Sequence, residues 1–180
     1  MTHSCLIFID LLDPRPEARF NIETYTDLPT GVKKPRPDPL VARYPEQSRR
    51  QVEALVPELE RRNAAGAGVF IAVNEFDGQR SKENLKRIRG VHADMDGASP
   101  ETLDAIRKML LPTMEVESSG PANLHFYWLL EEGEDLDQES AEAIHRQLVT
   151  LGADKAAIDV SRLLRLPGFR HMKYREGRAA

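Results

Sequence analysis

Asp94 and Asp96 stand two apart in Val91-His92-Ala93-Asp94-Met95-Asp96-Gly97. The apolar residues around them predict a short strand, on which side chains i and i+2 project from one face. Two carboxylates held side by side repel each other unless a cation lies between them. An all-oxygen pair suits a hard divalent ion, Mg²⁺ or Mn²⁺. The same residues admit a plainer reading, a strand that leaves into an Asp-Gly turn. His92, two residues before Asp94, shares the acidic face and can act as a supporting partner.

Three further segments carry chemistry in sequence order. Ser118-Ser119-Gly120-Pro121 is a small-residue turn, followed by His125-Phe126-Tyr127-Trp128. Asp159 follows in Ala157-Ile158-Asp159-Val160, and Ser161-Arg162-Leu163-Leu164-Arg165-Leu166-Pro167-Gly168 comes directly after it. Hydroxyls, backbone N–H groups of a glycine turn and an imidazole are phosphate ligands, and arginine adds bidentate charge. Three carboxylates around two metal ions, with basic groups on a triphosphate, form the layout that nucleotidyl transfer requires. Each piece has an ordinary alternative. Ser-Ser-Gly-Pro is a turn, His125 is a hydrogen-bonded strand histidine, and Asp159 caps a turn or pairs with Arg162 or Arg165. Phe126, Tyr127 and Trp128 read as core. His3, His92, His145 and His171 do not fall at metal-ligand spacing, and Cys5, the lone cysteine, excludes disulfides and cysteine zinc sites.

The elements that must position these residues follow from periodicity. Residues 19–26 alternate apolar and polar, as a half-buried strand does. Residues 27–45 contain Pro29, Pro35, Pro37, Pro39 and Pro45 and read as a loop or extended arm. Val52, Leu55, Val56 and Leu59 mark a helix ending near Gly66, with Pro57 predicting a kink or break. Residues 68–73 form a buried strand, and 74–78 a turn-rich loop. Ser99-Pro100-Glu101 supplies an N-cap, a proline at the first helical position and an acid in the first turn, and Leu103, Ile106 and Leu110 continue that helix. Strands are expected at 113–117, 124–130 and around 163–166. Asp137 caps a helix with Ala141, Ile144, Leu148 and Leu151 on one face, ending at Gly152. No regular β-α-β-α alternation appears, which favours α+β, helices packed on a largely antiparallel sheet.

The bulk numbers set limits. The 180 residues suit a single domain, and a composition 41% hydrophobic and 30% charged is that of a globular protein. No apolar run reaches the ~18 residues of a membrane span. Residues 5–12 are short, carry Asp10 and lack signal-peptide features, so a cytoplasmic protein is the economical expectation. A net charge of −4 argues against bulk coating of nucleic acid. Charge is nevertheless clustered. Residues 159–180 hold Arg162, Arg165, Arg170, Lys173, Arg175 and Arg178 against Asp159 and Glu176, and a second basic group is Arg80, Lys82, Lys86, Arg87 and Arg89.

Together, residues 66–74, the Asp94/Asp96 pair, Ser-Ser-Gly-Pro…His-Phe-Tyr-Trp and Asp159…Ser161-Arg162…Arg165-Leu166-Pro167-Gly168 resemble the RepB-type primases of plasmids and phages. These belong to the archaeo-eukaryotic primase superfamily, and the resemblance covers residues 20–173. It implies an RRM-like antiparallel sheet with packed helices plus an additional N-terminal α/β unit, the whole of 1–180 acting as one primase or primase-polymerase domain. Asp94, Asp96 and Asp159 would hold Mg²⁺ or Mn²⁺ in a two-metal site. Ser118, Ser119 and His125 would meet the phosphates of the incoming nucleoside triphosphate, with Arg162 and Arg165 on the triphosphate or the template. Such enzymes make short primers on single-stranded DNA and work beside a replicative helicase or initiator protein. Two departures stand out: Ala122-Asn123 replaces a glycine often found in the second motif's turn, and the downstream helical or helicase region of many relatives is missing from these residues.

Rival readings are a haloacid-dehalogenase-like phosphohydrolase with Asp94 as nucleophile, which needs a parallel α/β sheet, and a non-catalytic RRM-like nucleic-acid-binding module. A rolling-circle nicking enzyme needs a His-x-His pair that this sequence lacks.

Overall fold

In the computed structural model, residues 2–28, 32–120, 122–173 and 178–179 are described; Pro29, Pro121, Arg175 and Glu176 lie outside the described residues. The helices are α1 (Ser4–Leu12), α2 (Arg49–Ala64), α3 (Pro100–Met109) and α4 (Gln138–Thr150). The strands are β1 (Phe20–Thr26), β2 (Ala42–Gln47), β3 (Ala67–Ala72), β4 (Glu75–Phe76), β5 (Leu85–Arg87), β6 (Gly90–Asp96), β7 (Met114–Gly120), β8 (Asn123–Leu129), β9 (Leu163–Arg165), β10 (Arg170–His171) and β11 (Arg178–Ala179).

Two antiparallel sheets carry the architecture. The first runs β2-β1-β3-β9 and the second β6-β8-β7; β4 pairs with β5, and β10 with β11. One face of the first sheet (Ile22, Val69, Ile71, Leu164) packs against Leu6, Phe8 and Ile9 of α1 and Val52 and Leu59 of α2. Tyr127 of β8 closes this core, its ring 5.6 Å from that of Phe8. The opposite face of the second sheet (Val91, Ala93, Met95, Leu124, Phe126, Trp128) buries against Leu103 and Ile106 of α3 and Ala141 of α4. Alternation therefore divides β6 and β8: odd residues of β6 serve the α3–α4 core, and even ones turn toward the first sheet.

The segment β6-α3-β7-β8-α4, with spatial order β6-β8-β7, is the βαββα part of an RRM-like layout. The fourth strand expected beside β6 is replaced. His145 of α4 accepts the backbone N–H of His92 at 3.1 Å, and the N–H of Asp154 donates to the carbonyl of Asp94 at 2.8 Å. These two bonds satisfy part of the free edge of β6, and a 3-10 turn (Lys155–Ile158) follows in place of a strand. The β6–β8 and β7–β8 pairings are antiparallel, which removes the parallel sheet that a dehalogenase-like nucleophile would need.

Three local expectations change. β2 begins at Ala42, inside the proline-rich segment, because Pro45 sits on an edge strand where one missing N–H is tolerated. α2 runs through Pro57 unbroken: the proline faces solvent, Val52 and Leu59 anchor the helix on either side, and Ser48 with Gln51 closes a capping box. Residues 74–78 contain the short strand β4 instead of a simple turn.

Candidate active site

The cleft where the two sheets meet has a volume of about 190 Å³ and takes side chains from both. Asp94 and Asp96 enter from β6, His125 from β8, Ser118 and Ser119 from β7, and Phe70 and Arg165 from β3 and β9; Asp154, Arg162, His171 and Lys173 complete the wall. Three carboxylates (Asp94, Asp96, Asp154) thus share the cleft with the guanidiniums of Arg162 and Arg165, the Lys173 ammonium and the imidazoles of His125 and His171.

Register sets the acid–imidazole relationship. Asp94 lies opposite His125, and Asp96 opposite Asn123. The Asp94 Oδ1 to His125 Nε2 distance is 3.5 Å. Burial, then the neighbouring Asp96 and Asp154, push the Asp94 carboxyl up to about 6. Burial, then the cations Arg165 and Arg162, push His125 down to about 3. At neutral pH the imidazole is therefore uncharged, and the contact is not an ion pair. Asp94 Oδ1 is buried and has no hydrogen-bond partner. A buried carboxylate oxygen in that state, with like charges beside it, is the environment that a bound cation would relieve.

The turn between β7 and β8 is shaped by Asn123. Its carbonyl accepts Ser118 Oγ–H at 3.1 Å, its amide donates to Ser119 Oγ at 2.8 Å, and its side-chain oxygen accepts the Gly97 N–H at 2.7 Å. The pairing shifts between Glu117 and Gly120, a bulge that brings both serines to the cleft. Asn123, half of the Ala122-Asn123 pair that replaces the motif's usual turn glycine, thus ties the serine turn to the end of the acidic strand.

Asp159 is not in the cleft. Its Oδ1 accepts both the N–H and the Oγ–H of Ser161 at 2.8 Å, and its other oxygen stands 3.9 Å from Lys82 Nζ. It caps a turn, the plainer of its two sequence readings. Asp154 lines the cleft instead. α4 ends in a Schellman turn: Ala153 N–H donates to the Leu148 carbonyl, Gly152 N–H to that of Val149, and Gly152 takes φ +109°. The chain then reverses onto β6, and the Asp154–Asp94 backbone bond fixes the new carboxylate beside the old pair. The 3-10 turn that follows carries Asp159 away.

Arg162 Nη2 lies 3.9 Å from Asp154, and its Nε is buried without a partner. Arg165 is anchored by Asp27 at 3.0 Å, and its guanidinium stands 5.0 Å from the Phe70 ring centre. His92 is fully buried behind the site, 4.5 Å ring to ring from His145, and burial holds it well below the usual imidazole range. Phe126, Tyr127 and Trp128 are core residues. Asp154, Phe70 and His171 carry no sequence signal as site residues; the glycine that ends α4 is the nearest clue to Asp154. Among the described residues, no three acidic, histidine or cysteine side chains are drawn together closely enough to hold an ion as they stand.

Carboxylates and cations together line a cleft between two antiparallel sheets. The chain belongs to the RepB DNA-primase N-terminal domain family, which matches residues 42–179. It is similar in structure to the primase RepB' (TM-score 0.65, 24% identity), covering 94% of this chain and 51% of that one. It therefore spans about half the length of that protein. It is also similar to the catalytic domain of primase RepB' in complex with initiator DNA (TM-score 0.65, 23% identity, 96% and 80% covered). The AEP domain of the cyanophage S-2L primase-polymerase is a third relative in structure (TM-score 0.68, 18% identity, 98% and 85% covered). No curated protein matches the chain in sequence. The fold is the mixed α+β fold of archaeo-eukaryotic primase domains. No helix among the described residues is long and apolar enough to cross a membrane.

Proposed function

We propose that residues 1–180 form one catalytic domain that performs metal-dependent nucleotidyl transfer, synthesising primers on a single-stranded DNA template from nucleoside triphosphates. The observation that carries this reading is the buried, unpartnered Asp94 Oδ1, with Asp96 and Asp154 lining the same cleft. Mg²⁺ or Mn²⁺ held by Asp94, Asp96 and Asp154 would supply charge neutralisation at the triphosphate and a lower pKa for the attacking hydroxyl. Asp159 is left out of this ligand set by its bonds to Ser161.

The remaining residues bind and orient. His125, neutral and buried, offers a donor or acceptor without charge, which makes it a positioning group for a phosphate oxygen. Ser118 and Ser119 present hydroxyls from the bulged turn. Arg162 and Arg165, with Lys173, provide the positive wall against which a triphosphate or a strand's phosphates would lie. A helicase or initiator protein as co-worker belongs to the same proposal. The test is labelled-nucleotide incorporation on unprimed single-stranded DNA in the presence of Mg²⁺ or Mn²⁺, with Asp94→Ala as control. A non-catalytic binding module predicts no product and no metal-dependent stabilisation by nucleotide.

A further inference from the structure

The face of the first sheet turned away from α1 and α2 carries a row of side chains fixed by register. Arg43 of β2 pairs with Glu23 of β1, Glu23 with Phe70 of β3, and Phe70 with Arg165 of β9. One step along, Tyr25 lies opposite Gly68. The Tyr25 and Phe70 rings are 6.1 Å apart, and Arg165 covers Phe70 at 5.0 Å. Arg165 is itself locked by Asp27 at 3.0 Å.

Gly68 is needed for this arrangement. A Cβ at that position would meet Phe70 ring carbons at 2.7 and 2.8 Å and Arg165 Nη1 at 3.3 Å. The missing side chain lets the ring and the guanidinium lie against the strand. Phe70 is only half-buried and forms part of the cleft wall. An aromatic ring left in that state on a sheet face is unusual for core packing, and here one guanidinium, that of Arg165, stands over it. Lys34 Nζ stands 5.6 Å from the Tyr25 ring centre, and Lys173 shares the cleft. The acid in the row, Glu23, accepts from Arg80 at 2.8 Å, lies 3.4 Å from Arg43, and also accepts the Tyr25 hydroxyl. Its charge is matched within the protein by Arg80 and Arg43.

Flat π surfaces flanked by cations fit a ligand with planar bases on an anionic backbone. We propose that Phe70, with the Arg165 guanidinium and Tyr25, is a stacking shelf for a base of the single-stranded DNA template entering the cleft. The proposal rests on the primase reading for the identity of the strand; its binding test needs neither metal nor nucleotide. Aromatic stacking tolerates any base, so the shelf would hold the template in position without selecting sequence.

The experiment is fluorescence anisotropy with a labelled single-stranded DNA oligonucleotide, without metal or nucleotide, on the 180-residue chain. Phe70→Leu keeps apolar bulk and removes the π surface, and a thermal melt checks that it folds. It should weaken binding about tenfold, the scale of one lost base–aromatic stack. Phe70→Trp should bind at least as well as wild type. On the shortest oligonucleotide that still binds, replacing every base by an abasic site should cost the wild type about tenfold more than it costs Phe70→Leu. Unchanged affinity in Phe70→Leu overturns the shelf. So does an equal abasic penalty in both proteins, or a raised nucleotide KM with DNA affinity intact, which would give the ring to the incoming nucleotide. Wild type that shows the Phe70 signature yet incorporates no nucleotide contradicts the primase reading and leaves the shelf standing.

Discussion

The backbone N–H of Asp154 donates to the carbonyl of Asp94 at 2.8 Å, joining the end of α4 to the acidic strand. Through that one bond a residue far along the chain delivers a carboxylate to the cleft, and Asp159, five positions later, does not reach it.

Asp154→Ala should therefore lose Mn²⁺ affinity, measured by calorimetry in the presence of a nucleoside triphosphate, and Asp159→Ala should keep it. In turnover, the first change should cost at least about a hundredfold, the scale of removing one electrostatic contact to a developing charge. The reverse ranking would return Asp159 to the site.

Asp94 makes the metal-free protein pH-sensitive in an unusual direction. Its carboxyl is raised from 3.8 to about 6 in the folded state by burial, Asp96 and Asp154. The folded form therefore holds the proton more tightly than the unfolded form. This contribution to stability is present below about pH 4 and is lost as pH rises through about 6. At about 1.4 kcal/mol per pH unit, the ionised group costs up to about 3 kcal/mol at neutral pH. Asp94→Asn should raise the metal-free melting temperature at pH 7.5, with the gap closing toward pH 4. Mg²⁺ should then stabilise the wild type and not the variant.

A second charge system, remote from the cleft, should behave in the opposite way. Asp13 and Arg89 are both buried, and Arg89 Nε donates to Asp13 at 2.7 Å while Arg15 clamps the same carboxylate. Burial alone would raise the Asp13 carboxyl, but the guanidiniums of Arg15, Arg89 and Arg87 outweigh it and hold it far below the usual range. Its stabilisation is full above about pH 4 and fades as pH falls further. Arg89→Met should cost about 3 kcal/mol in denaturant unfolding, because it strips a partner from a buried charge. The double variant with Asp13→Asn should lose less than the sum of the single losses.

His145 ties α4 to the edge of β6: Nε2 accepts from His92 N–H at 3.1 Å, so Nδ1 carries the proton and donates to the Ile158 carbonyl at 3.0 Å. Burial lowers its affinity for a second proton. Its contribution should be complete above about pH 6.5 and decline below, as charging removes the acceptor. His145→Ala should lower stability by about 1–3 kcal/mol, leaving a buried N–H unpaired, and should speed amide exchange at His92.

Much of this site was legible in the sequence. The i, i+2 spacing put Asp94 and Asp96 on one face of β6, and the Ser99 cap and Gly152 stop marked the helices that flank it. Helix α1 was not marked, because Ile7 and Leu11 are apolar as well as the buried Leu6, Phe8, Ile9 and Leu12, which blurs the helical stripe. Asp159 stands where the family resemblance implies the third metal carboxylate, and in the fold it caps the turn at Ser161. Asp154 has polar and small neighbours, and its position depends on a turn and a long-range backbone bond that no local pattern encodes. Phe70 looked like one more apolar residue in a buried run; only the register with Arg165 and the bare Gly68 give it a surface role.

The proposed function requires a carboxylate-bound divalent ion for nucleotide joining in this cleft. Incubating the chain with unprimed single-stranded DNA and labelled nucleoside triphosphates tests it most directly, comparing Mg²⁺, Mn²⁺ and chelator with Asp94→Ala and Asp96→Ala. Short labelled products that need the ion and vanish in both variants are expected. Products formed in chelator, products undiminished in either variant, or none with either ion would contradict it.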